Sequence, residues 1–266
     1  MIGQKMLLER IEAQVDRNNF PRFVIFKGDR GSEKAEVAEF TAKQLEAVPV
    51  KLPDAKVDTI RTMISDAYKV TAPVAYIIPD GDNLSPSARG ALLKVTEEPP
   101  NNAYFMLLVE DEMSVIPTIR SRAQTFYLQF YLRDEIEYYF YEKYHTNHGE
   151  DEAKIVREIC ETPGEVDMLV AMDIKDFWDY VNLVAENIYD VSLANALKIP
   201  EKVATKTDAD GYDMILFLRT FEYIVLRNGY NAQSVKETSK ILIEARNKSV
   251  NKAMLLDKWV LNVRGD

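Results

Sequence analysis

The sequence predicts an α/β domain built on a parallel sheet, followed by a small helical domain and then a larger helical bundle. Three observations carry this reading. Over roughly the first half of the 266 residues, short and almost wholly apolar runs alternate with segments of helical periodicity, the pattern of strands covered by helices on both faces. After Phe130 the apolar runs stop, and short helix-like segments with polar breaks between them follow. From Asp173 onward only helical periodicity remains. The implied boundaries are 1–130, 131–173 and 174–266.

Each element has its own justification. "QKMLLERIEAQVDRN" places Met6, Leu7, Ile11 and Val15 on one helical face. "RFVIFKG" is a β-rich run ending in glycine, and "SEKAEVAEFTAKQLEA" is a helix with apolar positions at Val37, Phe40 and Leu45. "VDTIRTMISDAYKV" is a further helix and "VAYIIP" a buried strand. "LSPSARGALLKVTEE" opens with Ser85 as N-cap and Pro86 at the first helical position, a strong start signal. "YFMLLVE" and "QTFYLQF" are strands. "LRDEIEYYFYEKYH", "DEAKIVREICE" and "GEVDMLVAM" form the small helical domain. "DIKDFWDYVNLVAENIY", "YDMILFLRTFEYIVLRNG", "AQSVKETSKILIEARNK" and "VNKAMLLDKWVLNV" form the bundle.

Composition narrows the function classes. With 43 acidic against 33 basic residues, a net charge of −10, the chain is poorly suited to grip DNA alone. It can still contribute a local basic strip inside a larger assembly. One cysteine, Cys160, excludes an internal disulfide, and with only His145 and His148 beside it the sequence offers too few ligands for a structural zinc. No apolar stretch approaches the ~20 residues of a membrane span. The amphipathic start carries Glu9 and Glu12, unlike a secretory signal. The expected location is the cytoplasm.

Residues 28–35, "GDRGSEKA", follow the first strand where a phosphate loop, G-x-x-x-x-G-K-[ST], would lie. Gly28 and Lys34 have the right spacing, but Glu33 stands at the second glycine and Ala35 at the hydroxyl that holds magnesium. From these residues alone, a worn phosphate loop and a plain strand–turn–helix connection both stand. NTPases with such a loop place an acidic pair after a buried strand. "YIIPDGDNL" has Pro79 and Asp80 there.

The stretch "LSPSARGALLKVTEEPPNNAYFMLLVEDEMSVIPTIRSRAQTFYL" resembles the central block of bacterial clamp-loader subunits, with its E-E-P-P and P-T-I-x-S-R motifs. "IGQKMLLERI", "RFVIFKGDRGSEK" and "VDTIR" extend the resemblance, as does "NKSVNKAMLLDKWVLNV", less specifically. The resemblance implies an AAA+ α/β domain with a P-loop-like parallel sheet, a helical lid (131–173) and a helical collar (174–266) that joins a ring. Within the family the chain departs at every nucleotide position: Glu33 and Ala35 in the loop, Pro79 and Asp80 in the acidic pair, Val109-Glu110 at the sensor strand's end, and Asp167 where the lid's G-x-x-R has arginine. These departures resemble the delta-prime type, the non-hydrolysing end member. The retained Ser121-Arg122 of the S-R-C motif then implies that Arg122 acts as an arginine finger in the neighbouring subunit's site, where a planar guanidinium suits phosphoryl oxygens. Ala123 replaces the cysteine.

The resemblance implies partners as well: ATPase subunits and a delta-type subunit in a hetero-pentamer, primer–template DNA through the assembly, and the sliding clamp indirectly. No membrane, ATP or zinc is expected, since the four-cysteine module of many delta-prime subunits is missing from the short "LEAVPVKLPDAKVDTIR". Two alternatives keep the fold: a divergent ATPase with a working site, and an adaptor of another complex. Outside the family, Lys34 reads as a surface lysine and Arg120 as structural. Arg89 and Lys94 read equally as a DNA or subunit contact and as a solvated helix face. Tyr138, Tyr139, Tyr141 and Tyr144 read as core and surface of the helical domain, Cys160 as a small buried hydrophobe, and His145 and His148 as polar-loop residues.

Overall fold

The computed structural model describes residues 1–204, 213–229, 231–245 and 250–265, which divide into two compact units, Met1–Leu132 and Arg133–Asp266. The first unit runs α1 (Lys5–Asp16), β1 (Phe23–Lys27), α2 (Lys34–Gln44), β2 (Val48–Lys51), α3 (Val57–Ala67), β3 (Val74–Ile78), α4 (Pro86–Glu97), β4 (Ala103–Val109), α5 (Pro117–Arg120) and β5 (Gln124–Tyr127). Its strands form one parallel sheet in the order β2-β3-β4-β1-β5. β1 lies between β4 and the edge strand β5, with Ile25 opposite Leu107 of β4 on one side and Thr125 of β5 on the other.

Alternate strand residues feed two separate apolar layers. Phe23, Ile25, Ile78 and Leu107 meet Ile60 of α3 and Leu92 of α4. Val24, Phe26, Ile77 and Met106 meet Ile11 of α1 and Val37 of α2. With both faces buried the period of two is hidden, which is why the strands read as unbroken apolar runs. Each large side chain so buried contributes about 1.5–3 kcal/mol. Ser85 caps α4 as expected, its Oγ accepting from Ala88 N at 3.2 Å, with Pro86 first in the helix.

Several local expectations are corrected. β2 had no strand signal: Val48 and Pro49 are exposed on the sheet edge, where proline is tolerated and apolar alternation is not required. On α1, Leu7 and Ile11 are buried but Met6 is exposed. On α2 the buried residues are Val37, Ala38, Thr41 and Ala42, while Phe40 and Leu45 are only half-buried, because the sheet leaves room for small side chains there. β5 stops at Tyr127, short of the expected Phe130.

The second unit is all helix: α6 (Arg133–Tyr144), α7 (Glu150–Ile159), α8 (Pro163–Ala171), α9 (Ile174–Asn187), α10 (Leu193–Ala196), α11 (Ile199–Ala204), α12 (Met214–Arg227), α13 (Ala232–Ala245) and α14 (Lys252–Arg264). The helices expected as lid and as collar both fall within this unit. Short α10 and α11 were not foreseen. Tyr212 of one expected helix and residues 246–248 of another lie outside the described residues. The fully buried Trp259 of α14 sits edge-on to Phe217 and Phe221 of α12, at 5.6 and 4.9 Å. Its Nε1 donates to Thr238 Oγ1 of α13 at 2.9 Å, giving the buried indole the partner it needs. Among the described residues no helix is long and apolar enough to cross a membrane.

Candidate functional site

In open α/β sheets ligands bind beyond the carboxyl ends of the strands. Here the ends of β1, β3 and β4 converge. Gly28 N donates to Val109 O at 3.1 Å, joining the loop after β1 to the end of β4. A side chain on Gly28 would collide with Ser32 Oγ. Lys34 opens α2, and its Nζ donates to the loop's own carbonyls, Gly28 O at 2.9 Å and Asp29 O at 2.6 Å. Buried Ser32 adds an Oγ bond to Asp29 O at 2.7 Å. Glu33 turns outward from the loop, and its Oε2 accepts from Ile2 N at 3.2 Å. Ala35 packs on the apolar layer of the sheet. Gly28 and Lys34 therefore do come together, within a loop whose polar groups bond one another.

At the end of β3, Pro79 offers no ligand and exposed Asp80 takes left-handed backbone, φ 49°, which aspartate tolerates better than most residues. Gly81 is buried, and a Cβ there would lie 2.7 Å from the side chains of both Leu107 and Val109. Asp82 is a residue the sequence reading missed. Its carboxylate accepts from Glu110 N at 2.9 Å, Asp111 N at 2.8 Å and Ser114 Oγ at 3.0 Å, fastening the turn after β3 to the turn after β4. Its signal was available, since Asp82 is a further acid just two residues past the acidic-pair positions 79 and 80.

Asp167 lies one turn into α8, a helix capped by Thr162 Oγ1 and opened by Pro163. Three donors of α6 close on its carboxylate: Tyr139 Oη at 2.9 and 3.1 Å, Tyr144 Oη at 2.9 Å and Lys143 Nζ at 2.8 Å. Burial, helped by Asp167, pushes the Tyr139 phenol up to about 12. Burial disfavours the Lys143 cation, yet its bonds to Asp167 and Tyr139 outweigh that and hold it above its usual range. Tyr139 and Tyr144 thus bind a carboxylate, while Tyr138 and Tyr141 are exposed. His148 is corrected too. It stays in the loop between α6 and α7 but packs its ring on Phe140 and Tyr144, 3.5 Å from the Glu152 carboxylate. His145 Nδ1 lies 2.6 Å from Tyr141 O. Cys160 is buried, which pushes its thiol up.

Arg122 follows the single turn of α5, which fully buried Ile119 anchors to the core. Its Nη1 donates to Thr118 O at 2.9 Å, and its Nη2 lies 3.1 Å from Glu97 Oε1 at the end of α4. The side chain stays 40% exposed. Arg120 instead turns back, its Nη1 2.7 Å from Met113 Sδ, and is half-buried. Arg89 is half-buried and Lys94 exposed on α4. Among the described residues no group of three or more His, Cys, Asp or Glu side chains could hold a metal ion.

A family described as "DNA polymerase III, delta subunit" matches residues 43–131. The chain is 27% identical over 156 residues to DNA polymerase III subunit tau of Bacillus subtilis (strain 168), covering 47% of this chain and 28% of that protein. It is 28% identical over 166 residues to DNA polymerase III subunit gamma of Buchnera aphidicola, covering 51% and 46%. Over these segments the chain is similar to subunits of DNA polymerase III. It spans less than half the length of these curated relatives. A DNA polymerase III gamma subunit-related protein of Thermotoga maritima superposes with a TM-score of 0.58 at 17% identity, covering 97% of this chain and 99% of that one. The RuvB Holliday junction branch migration motor of the same organism gives 0.53 at 16% identity, covering 97% and 82%. These two likenesses are of fold alone, and they span residues of both units.

Proposed function

We propose that this chain is a non-hydrolysing, delta-prime-type subunit of a DNA polymerase III clamp loader, and that it supplies Arg122 to the ATP site of an adjacent ATPase subunit. The observation that carries this reading is a contrast between the nucleotide positions and the S-R motif. In the phosphate loop Ala35 has no hydroxyl for magnesium, Glu33 replaces a glycine, and the Lys34 ammonium is already bonded to Gly28 and Asp29 carbonyls. Pro79 has no carboxylate, and Asp167 is a carboxylate where a cation would meet the γ-phosphate. A magnesium nucleotide needs those groups to neutralise its charge, so the residues present do not fit one. The S-R motif, by contrast, is intact, and its Arg122 is solvent-accessible at the end of a well-anchored turn.

In the neighbour's site, water attacks the γ-phosphorus as the bond to the bridging oxygen breaks, leaving ADP and phosphate. Negative charge spreads over the equatorial oxygens, and a guanidinium from a second subunit stabilises it. The chain's helical collar holds it in the ring, with DNA and the sliding clamp reached through the assembly.

Arg122→Ala in the reconstituted complex tests the proposal. Assembly and ATP binding by the neighbour should persist, while hydrolysis at that interface and clamp loading fall. Fingers of this kind contribute about 10³–10⁵ at their own site, diluted in total turnover by the remaining sites. Arg122→Lys should rescue poorly, because a flexible point charge lacks the planar fork. Normal clamp loading by the Arg122→Ala complex would remove the finger role.

A further inference from the structure

The two motifs that carry the resemblance, E-E-P-P and P-T-I-R-S-R, are separated by more than a strand in the chain and are joined by an ion pair, Glu97 with Arg122. We propose that Glu97 is a positioning residue for Arg122. This rests on the finger reading above and names the group that aims the finger.

The geometry is a two-point hold. Arginine carries five N–H donors in a rigid fork. One Nη1 hydrogen goes to Thr118 O at 2.9 Å, and Nη2 faces Glu97 Oε1 at 3.1 Å. Both anchors are rooted in the fold. Thr118 lies in α5 beside buried Ile119, and Glu97 is the last residue of α4, one position after buried Thr96. Two grips on different elements fix the guanidinium plane as a single contact could not. They leave Nε–H and the outer hydrogens of the fork for an incoming phosphoryl group.

A free arginine side chain would have to surrender its rotamer freedom when it meets the phosphate. Glu97 removes part of that cost beforehand. The pair is half-exposed, so the effect is bounded: exposed ion pairs bias a conformation by no more than about two- to five-fold. The carboxylate therefore aims the finger without sequestering it. Replacing Glu97 should lower turnover modestly and leave ATP affinity alone.

The test uses the reconstituted clamp loader with clamp and primed DNA. Glu97→Ala should lower kcat about two- to five-fold at the dependent interface with KM for ATP unchanged, and Glu97→Gln, which keeps an acceptor oxygen, should fall between it and the native complex. In an Arg122→Ala background, Glu97→Ala should add nothing, because a group acting through Arg122 has no effect without it. A further loss in that background would overturn the proposal by giving Glu97 an independent role, as would faster turnover, which would make it a restraint. Should Arg122→Ala alone prove neutral, the finger reading fails first. If Arg122→Ala is impaired and Glu97→Ala is normal, only the positioning role fails.

Discussion

Asp167 shows how one carboxylate can organise its neighbours. Its carboxylate draws Tyr139, Lys143 and Tyr144 of α6 onto itself. The consequence is measurable by alkaline titration. The Tyr139 phenol moves from 10.0 to about 12 in the fold, so its neutral form is favoured by folding. That contribution is complete below pH 10 and is lost as pH rises through about 12. Ultraviolet titration should find a late-ionising tyrosine, and Asp167→Asn should bring it back toward the ordinary range. An unchanged titration curve in the variant would dissociate Asp167 from Tyr139. This cluster was not legible in the sequence. Tyr139, Lys143 and Tyr144 follow helical spacing, but nothing in a run of aromatic and charged residues says which of them a distant aspartate will meet. Gly28, Lys34 and Arg122 could be singled out in the sequence because each belongs to a fixed-spacing motif. Glu97 stood in plain sight within its motif, but its partner became visible only once α4 and α5 were placed side by side.

Among the elements, the join between α7–α8 and α12 has the clearest energetic signature. Arg219 of α12 is mostly buried and meets Glu165 at 2.6 Å, Glu161 at 2.7 Å and Ile159 O at 2.9 Å. Glu165 also accepts from Glu161 N at 2.7 Å, so one guanidinium organises the whole turn that leads into α8. Burial opposes the cation, and the two carboxylates more than offset it, raising its pKa further. Removing one partner of such a pair leaves the other charge uncompensated, at a cost of about 3–5 kcal/mol when burial is complete. Glu161 is largely exposed, so Arg219→Met should cost nearer ~3 kcal/mol, read as a lower denaturant midpoint with the slope unchanged. A midpoint within error of the native chain would show that the pair is replaceable by packing. The long helices, including α12, were legible because amphipathic periodicity persists over several turns. β2, α10 and α11 were not. Each is only a few residues long, and β2 carries a proline at an exposed edge, so neither period nor propensity marks it.

At the scale of the whole molecule, the alternation of strands and helices, followed by helices alone, announced the architecture, and the sheet order added what no sequence pattern encodes: β1 lies between β4 and β5. That placement brings residues 28–34, 79–82 and 109–111 to the carboxyl ends of neighbouring strands, so these departures, read separately along the chain, meet at one end of the sheet. They are also mutually reinforcing, which leads to the last prediction. The isolated chain should show no ATP turnover above background, and repairing the loop alone with Glu33→Gly and Ala35→Thr should not create it. The repaired loop would regain a glycine and a hydroxyl, but Pro79 would still deny magnesium its carboxylate. Metal and cationic groups act together on the transferred phosphoryl, so restoring one without the others gains little. Glu33→Gly also frees Ile2 N from its acceptor, so unfolding should be measured alongside to separate a damaged fold from an unrepaired site. Phosphate release at steady state is the readout, with Lys34→Ala as the control. Turnover by the native chain that Lys34→Ala abolishes would mean the loop still works as it stands. Turnover that appears only in the repaired chain would mean the loop was the sole defect.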